Sequence, residues 1–428
     1  MISIFDSLNA YQTHLARQTQ AGPAGVETTV REILETVRAQ GDPALLAYTE
    51  RFDKVRPDTL RVPREAMEQA SAEVDPAMRD IWIQAMHNVE VFHQRQKEDS
   101  SLEFFQDGTL LGWKVTPIQR AGVYIPGGRA VYPSSLIMNV VPARVAGVPE
   151  IVVVSPPGPN GLPHRDVLAC AALLEVEEMY AMGGAQAVGA LAYGTQTIRP
   201  VDKITGPGNA YVAEAKRQVF GRVGIDSVAG PSEILILSDG TGKVEYLARD
   251  LLSQAEHDPE ARAVLVTTSR EEAQRVKKHL EEIVPGLPRR EIIESALKGG
   301  SGIVVVNTLE AAIEAANQIA PEHLEIMTAD PMALLPRIRH AGAVFLGANT
   351  PEPVGDYFAG PNHTLPTGGT ARFSSPLSVQ DFTKKSSVLM YSAQRLQKEG
   401  EAIARFADRE ELAAHAAAIR VRLGTLKQ

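Results

Sequence analysis

The sequence predicts an α/β chain of two parallel-sheet units with helical segments at both ends. At 428 residues the chain exceeds the size at which one core keeps growing, so more than one packed unit is expected. From about Thr116 short apolar runs alternate with turns and helical patterns, the rhythm of a parallel sheet covered by helices. A second series with the same rhythm follows, without a strict sequence repeat.

The N-terminal segment, 1–115, reads as helical. Val30, Ile33, Leu34 and Val37 share one face of the stretch 28–39, and Met78, Ile81, Ile83, Ala85 and Val89 mark another over 76–96. The first α/β unit, 116–238, has strand-like runs at 123–125, 151–154, 178–182 and 203–205, with helical patterns at 135–146 and 166–174 between them. The second unit, 239–376, continues the series that opens at 234–237 with strand-like runs at 263–268, 303–306, 324–326 and 343–346. A loop rich in Gly and Pro, 349–376, closes it. The tail, 377–428, carries helical patterns at 395–406 and 410–423 but few core-forming residues, so it is expected to pack on something else, such as another subunit.

Composition excludes several function classes. A net charge of −9 without a basic block argues against a nucleic-acid partner. No apolar stretch approaches the roughly 20 residues that span a bilayer, and the N-terminus lacks the pattern of a secretory signal. One cysteine makes no internal disulfide, so a reducing, cytoplasmic setting is expected. Cys170 lies in a helix of small apolar residues and reads as an inert core thiol rather than a nucleophile.

The chemistry concentrates in a few stretches. Val244, Leu247, Ala248, Leu251, Leu252 and Ala255 describe a helix that Asp258-Pro259 ends, so Gln254 and His257 fall three apart on one face. The unpaired carbonyls of a helix C-terminus favour a cation there. An ordinary polar helix end is the plainer reading, because glutamine is an unusual zinc ligand. Three glycine clusters, Ile125-Pro126-Gly127-Gly128, Met182-Gly183-Gly184-Ala185-Gln186 and Thr205-Gly206-Pro207-Gly208-Asn209, each follow a strand-like run, where open α/β sheets bind ligands. None has the spacing Gly-x-Gly-x-x-Gly, so a nucleotide cleft and simple turns both account for them.

Pro321-Glu322-His323 sits where a helix gives way to a strand, so Glu322 and His323 are expected to point outward at an edge, as a proton-handling pair or a solvated one. Asp356 and His363 fall in the Gly/Pro loop, where an Asp is a functional group or a turn former. Glu410 and His415 fall five apart in the last helical pattern. His14, His87, His93, His164, His279 and His340 read as helix-surface or loop residues without a role.

Tyr124-Ile125-Pro126-Gly127-Gly128, Gly206-Pro207-Gly208-Asn209, Gly230-Pro231-Ser232-Glu233, Ser253-Gln254-Ala255-Glu256-His257-Asp258, Pro321-Glu322-His323-Leu324 and Gly360-Pro361-Asn362-His363-Thr364-Leu365-Pro366 together resemble the histidinol dehydrogenase family, in order and over nearly the whole chain. The resemblance implies two incomplete Rossmann-like units with helical ends, assembled as an intertwined homodimer. It also implies a zinc- and NAD-dependent enzyme that oxidises L-histidinol through L-histidinal to L-histidine, the last step of histidine biosynthesis. Carried over position by position, the zinc ligands are Gln254, His257, Asp356 and His415, and the acid/base pair is Glu322 and His323. Ser232 and Glu410 hold the substrate together with Gln254, His257, His323, Asp356 and His415, while Tyr124, Gln186 and Asn209 contact NAD. No departure from the family's pattern appears at these positions. The alternative is a homologous zinc and NAD dehydrogenase acting on another primary alcohol. A metal-stabilised binding protein without catalysis is more distant, since metal retention alone would not require the Glu322-His323 pair.

Overall fold

A computed structural model describes residues 1–19, 25–127 and 131–425. It divides into one unit of residues 1–96 and 118–382 and a second of residues 97–117 and 383–428.

The first unit contains both parallel sheets. One has the strand order Glu178–Ala181, Glu150–Ser155, Arg120–Tyr124, Lys203–Thr205, Gly224–Ile225. The chain thus runs outward from Arg120–Tyr124 on one side, then returns to its other side. The other sheet has the order Ile4–Phe5, Gly302–Val305, Arg262–Thr267, Glu233–Ser238, His323–Met327, Ala343–Leu346. It repeats the same outward-and-return path about Glu233–Ser238, with an extra N-terminal strand at its edge. Each sheet buries apolar side chains on both faces, around Val123, Leu136 and Cys170 and around Tyr124, Val188 and Leu191 in one, and around Ile234, Leu251 and Leu265 and around Leu235, Val266 and Leu324 in the other. Burial on both faces explains why these strands read as continuous apolar runs rather than alternating ones.

The second unit holds a sheet that the helical reading of the chain ends does not foresee. Ser101–Phe104 and Thr383–Met390 flank Leu110–Pro117, all antiparallel, and the helices Ala393–Arg409 and Ala413–Leu423 follow. Only long-range pairing makes Thr383–Met390 a strand, because its side chains are mostly exposed and leave no burial pattern to read. The last helix begins at Ala413, later than 410, because Glu410 caps the preceding helix and Glu411 turns through φ 62°.

Of the two N-terminal helix readings, one holds and one changes. Val30, Ile33, Leu34 and Val37 are buried as their spacing predicts. In Pro76–Gln94, however, the buried face is Ala85, Val89 and His93, while Met78, Ile81 and Ile83 are exposed. His93, spaced four from Val89, therefore turns inward rather than to the surface, and its Nδ1–H donates to the Val89 carbonyl at 2.7 Å. Cys170 is buried, and burial pushes its thiol up, away from the reactive thiolate. Among the described residues no helix is long and apolar enough to cross a membrane.

The turn after Lys203–Thr205 depends on two constraints. Gly206 adopts φ +114°, and a Cβ there would collide with the Tyr124 carbonyl, so only glycine lets these strand ends approach. Behind it, buried Lys216 pairs with Asp226 and donates to the Gly206 carbonyl at 2.9 Å, while Asp226 accepts the Gly206 N–H at 2.8 Å. Removing one partner strands the other charge in the interior. Lys216→Met is expected to cost about 3–5 kcal/mol in urea unfolding; a loss well under ~1 kcal/mol would show that the pair does not hold the turn.

Candidate active site

The second sheet brings its titratable residues to the amino ends of its strands, opposite to the edge where open α/β sheets usually bind ligands. Glu322 and His323 enter His323–Met327, an interior strand between Glu233–Ser238 and Ala343–Leu346. They are therefore buried, at 7% and 3% exposure, and do not point outward. Glu322 Oε2 accepts the Glu233 N–H at 2.8 Å, and His323 Nδ1–H donates to the Glu233 carbonyl at 2.9 Å. Glu233 is itself anchored by Arg262 at 3.0 Å and by the Gly368 N–H at 3.1 Å.

With Nδ1 committed, His323 presents Nε2 to the site. That atom has no hydrogen-bond partner and lies 3.6 Å from Asp356 Oδ1. Asp356 belongs to a short helix, Glu352–Tyr357, inside the Gly/Pro stretch expected to be loop; Pro351 and Pro353 start it, and the four-residue spacing puts Glu352 on the same face. Gly355 lets this helix press against the Phe345 ring, where a Cβ would clash. His323, Glu352 and Asp356 each offer a ligand atom within 4.8 Å of one another.

Glu352, which the sequence reading missed, accepts from Ser253 Oγ at 2.6 Å, and its N–H donates to Glu325 Oε1 at 2.8 Å. The legible signal was an acid four residues before Asp356, directly after a proline. His363 is also drawn in: its Nδ1–H donates to the Asp356 carbonyl at 3.0 Å.

Burial and mutual repulsion set the charges. Burial pushes Glu322 up to about 8 and raises Glu352. Burial and the neighbouring Asp250 push Glu325 up to about 9. For His323 burial alone would favour the neutral ring, but Glu322, Asp356 and Glu352 outweigh it and push it up to about 10. Asp356 stays below the usual carboxylate range despite burial, because His323, His363 and His257 stabilise its charge. So much buried negative charge favours either protons or a bound cation.

Gln254 stands out among the buried polar residues of this unit. It is 0% exposed in the last turn of Val244–Ala255, and neither its amide oxygen nor its nitrogen has a partner. An unpaired buried amide costs about 1–3 kcal/mol, a cost that a bound cation or water would offset. His257 lies just past the helix, whose C-cap is Glu256. Nitrogen and oxygen donors of this kind fit zinc. Ser253, beside Gln254, donates to Glu352, the charge of His257 acts on Asp356, and Asp356 faces His323, while Ser232 precedes Glu233. Glu410 and His415 belong to the second unit.

The other predicted positions surround a cavity of about 1200 Å³ at the carboxyl ends of the first sheet, lined by Tyr124, Gln186 and Asn209. Gly128 of the first glycine cluster lies outside the described residues. The Tyr124 hydroxyl accepts the Gly184 N–H at 3.0 Å, and the Gln186 amide nitrogen is buried without a partner. Asn209 caps Ala210–Val219, accepting from the Tyr211 and Val212 N–H groups. A smaller cavity of about 400 Å³, lined by His257, Tyr132, Arg289 and Tyr357, shares Val131 with the large one.

Residues 16–423 match the family model described as histidinol dehydrogenase. The histidinol dehydrogenase of Geobacillus kaustophilus is 55% identical over 409 residues, 96% of this chain and 96% of that protein. That of Bacillus subtilis is 52% identical over 413 residues, 96% and 97% of the two chains. A crystal structure of histidinol dehydrogenase from Elizabethkingia anophelis matches with a TM-score of 0.93 at 35% identity, covering 100% of this chain and 99% of that one.

The unpartnered amide yields a test. Gln254→Leu, of similar size, is expected to leave the metal-free protein at least as stable, gaining up to about 1–3 kcal/mol, while abolishing the rise in thermal midpoint that added Zn²⁺ gives the wild type. Calorimetry with and without zinc checks this; a variant that melts earlier without metal would assign the amide a structural contact instead.

Proposed function

This chain belongs to the histidinol dehydrogenase family and is an oxidoreductase; from that premise we propose that it oxidises L-histidinol through L-histidinal to L-histidine, with NAD as acceptor and zinc in its site, in the cytoplasm. The observation that supports the metal and cofactor reading is the pair of buried amides at Gln254 and Gln186, unpaired among the described residues, with two cavities that share Val131 in their linings. Gln254, His257 and Asp356 would hold the metal, with His415 as a further ligand; bound there, zinc anchors the nitrogen donors of the substrate. Tyr124, Gln186 and Asn209 would hold NAD, which supplies the hydride acceptor.

The chain's own residues then handle protons. His323, oriented by its Nδ1–H bond to the Glu233 carbonyl, accepts the hydroxyl proton at Nε2. It must be neutral to do so, which requires Asp356 to be engaged elsewhere, as a ligand position demands. Glu322 Oε2 is held by the Glu233 N–H, leaving Oε1 to take a proton from the water that attacks the aldehyde. With burial pushing it up to about 8, Glu322 can both take and return that proton near neutral pH. Ser232 and Glu410 would orient the substrate.

Formation of NADH with L-histidinol, compared with other primary alcohols, tests the substrate. Two NADH per L-histidinol are expected, with activity lost to a chelator and restored by Zn²⁺. Turnover of other alcohols in preference to L-histidinol would favour the alternative substrate reading, and full activity in metal-free protein would remove zinc from the site.

We further propose a homodimer in which the tail of one copy completes the site of the other. Support comes from the second unit, which exposes the large apolar side chains Phe104, Leu389, Met390, Phe406 and Val421, as contact with a second copy would use. Refolding His257→Ala with His415→Ala in equal amounts should then recover about a quarter of wild-type activity, since half of random dimers are mixed and each mixed dimer has one intact site. Mixed dimers without recovery would return His415 to its own chain.

A further inference from the structure

The large cavity contains a carboxylate that neither the strand-end motifs nor the glycine clusters point to. Asp53 ends the helix Asp42–Asp53, far upstream of the parallel sheet, yet it lines the cavity beside Tyr124 and Gly184. Its Oδ2 is buried and has no hydrogen-bond partner. Burial pushes its carboxyl up to about 6. Nothing among the described residues pairs with this acceptor at the cavity wall.

The sheet topology says which part of a dinucleotide passes Asp53. The chain reverses about Arg120–Tyr124, so a dinucleotide lies across the ends of that strand, with its adenosine half over Glu150–Ser155 and Glu178–Ala181. In this kind of sheet an acidic residue after the second strand commonly takes the adenosine ribose hydroxyls. Here that strand runs into Ser155-Pro156-Pro157-Gly158-Pro159, which has no carboxylate. Asp53 lies on the same side: its charge reaches the Tyr124 phenol, which burial pushes up to about 12 and whose oxygen accepts the N–H of Gly184, just past Glu178–Ala181. Tyr48 and Phe52 of the same helix stack at 5.7 Å and line the same wall, offering an aromatic face to a purine.

We propose that Asp53 accepts the adenosine ribose hydroxyls of the dinucleotide and that its charge excludes a cofactor bearing a 2′-phosphate. This rests on the cavity being the dinucleotide site. A carboxylate accepts from two vicinal hydroxyls, whereas a phosphate in their place sets two negative charges in contact. Arg51, which also lines the cavity and lies over the Phe52 ring at 5.3 Å, would be left to attract the phosphate once Asp53 is neutral.

The test is fluorescence titration of NADH and of NADPH, each alone, into wild type, Asp53→Asn and Asp53→Glu, with thermal midpoints to confirm folding. Wild type is expected to bind NADH more tightly than NADPH. Asp53→Asn should weaken NADH about ten-fold or more and tighten NADPH, while Asp53→Glu, which keeps the charge, still rejects NADPH. An unchanged NADH/NADPH ratio in Asp53→Asn, or a wild type with equal affinity for both, overturns the role of Asp53 and leaves the cavity reading intact. A wild type that binds neither dinucleotide overturns the cavity reading and this proposal with it.

Discussion

The site depends on Glu233 joining two parallel strands at their amino ends. Its N–H holds Glu322, its carbonyl orients His323, and its own carboxylate is held by Arg262 and the Gly368 N–H. Because backbone rather than a mobile side chain supplies both contacts to the pair, Glu322 and His323 are as rigid as the sheet. The tautomer of His323 is set by the same bond, and only Nε2 remains for chemistry.

Around this anchor the protein gathers carboxylates that water would otherwise solvate: Glu322, Glu352 and Asp356, with Glu325 and Asp250 behind them. Burial raises most of them, and protons or a cation must offset what remains. Such buried charge costs stability, since a packed apolar interior would be more stable. Gln254 belongs to the same logic, as a buried amide left without partners among the described residues.

The two sheets share one winding but use opposite edges. The first presents the carboxyl ends of its strands to the large cavity, the second the amino ends of its strands to the charged cluster. Asn362 and His363 tie them together, Asn362 donating to the Met138 carbonyl at 2.6 Å and His363 facing Ser135 at 3.4 Å. The smaller cavity, lined by Tyr132 and Ile137 from the first sheet's side and by His257 and Tyr357 from the second's, has Val131 in common with the lining of the large one.

From sequence alone the βαβ rhythm, the strand positions and the residues worth suspecting were legible, because burial on both faces writes long apolar runs and strand ends demand glycine. Short motifs likewise made the family resemblance visible without any contact being known. The tertiary structure alone decided what lies between distant segments. It turned Glu322 and His323 inward, made a helix of Glu352–Tyr357 within an apparent loop, buried His93, and paired Thr383–Met390 with Leu110–Pro117. It also set Asp53 in a cavity otherwise read from the glycine clusters. In each case the deciding force is a contact with residues far along the chain, and local periodicity carries no record of such a partner.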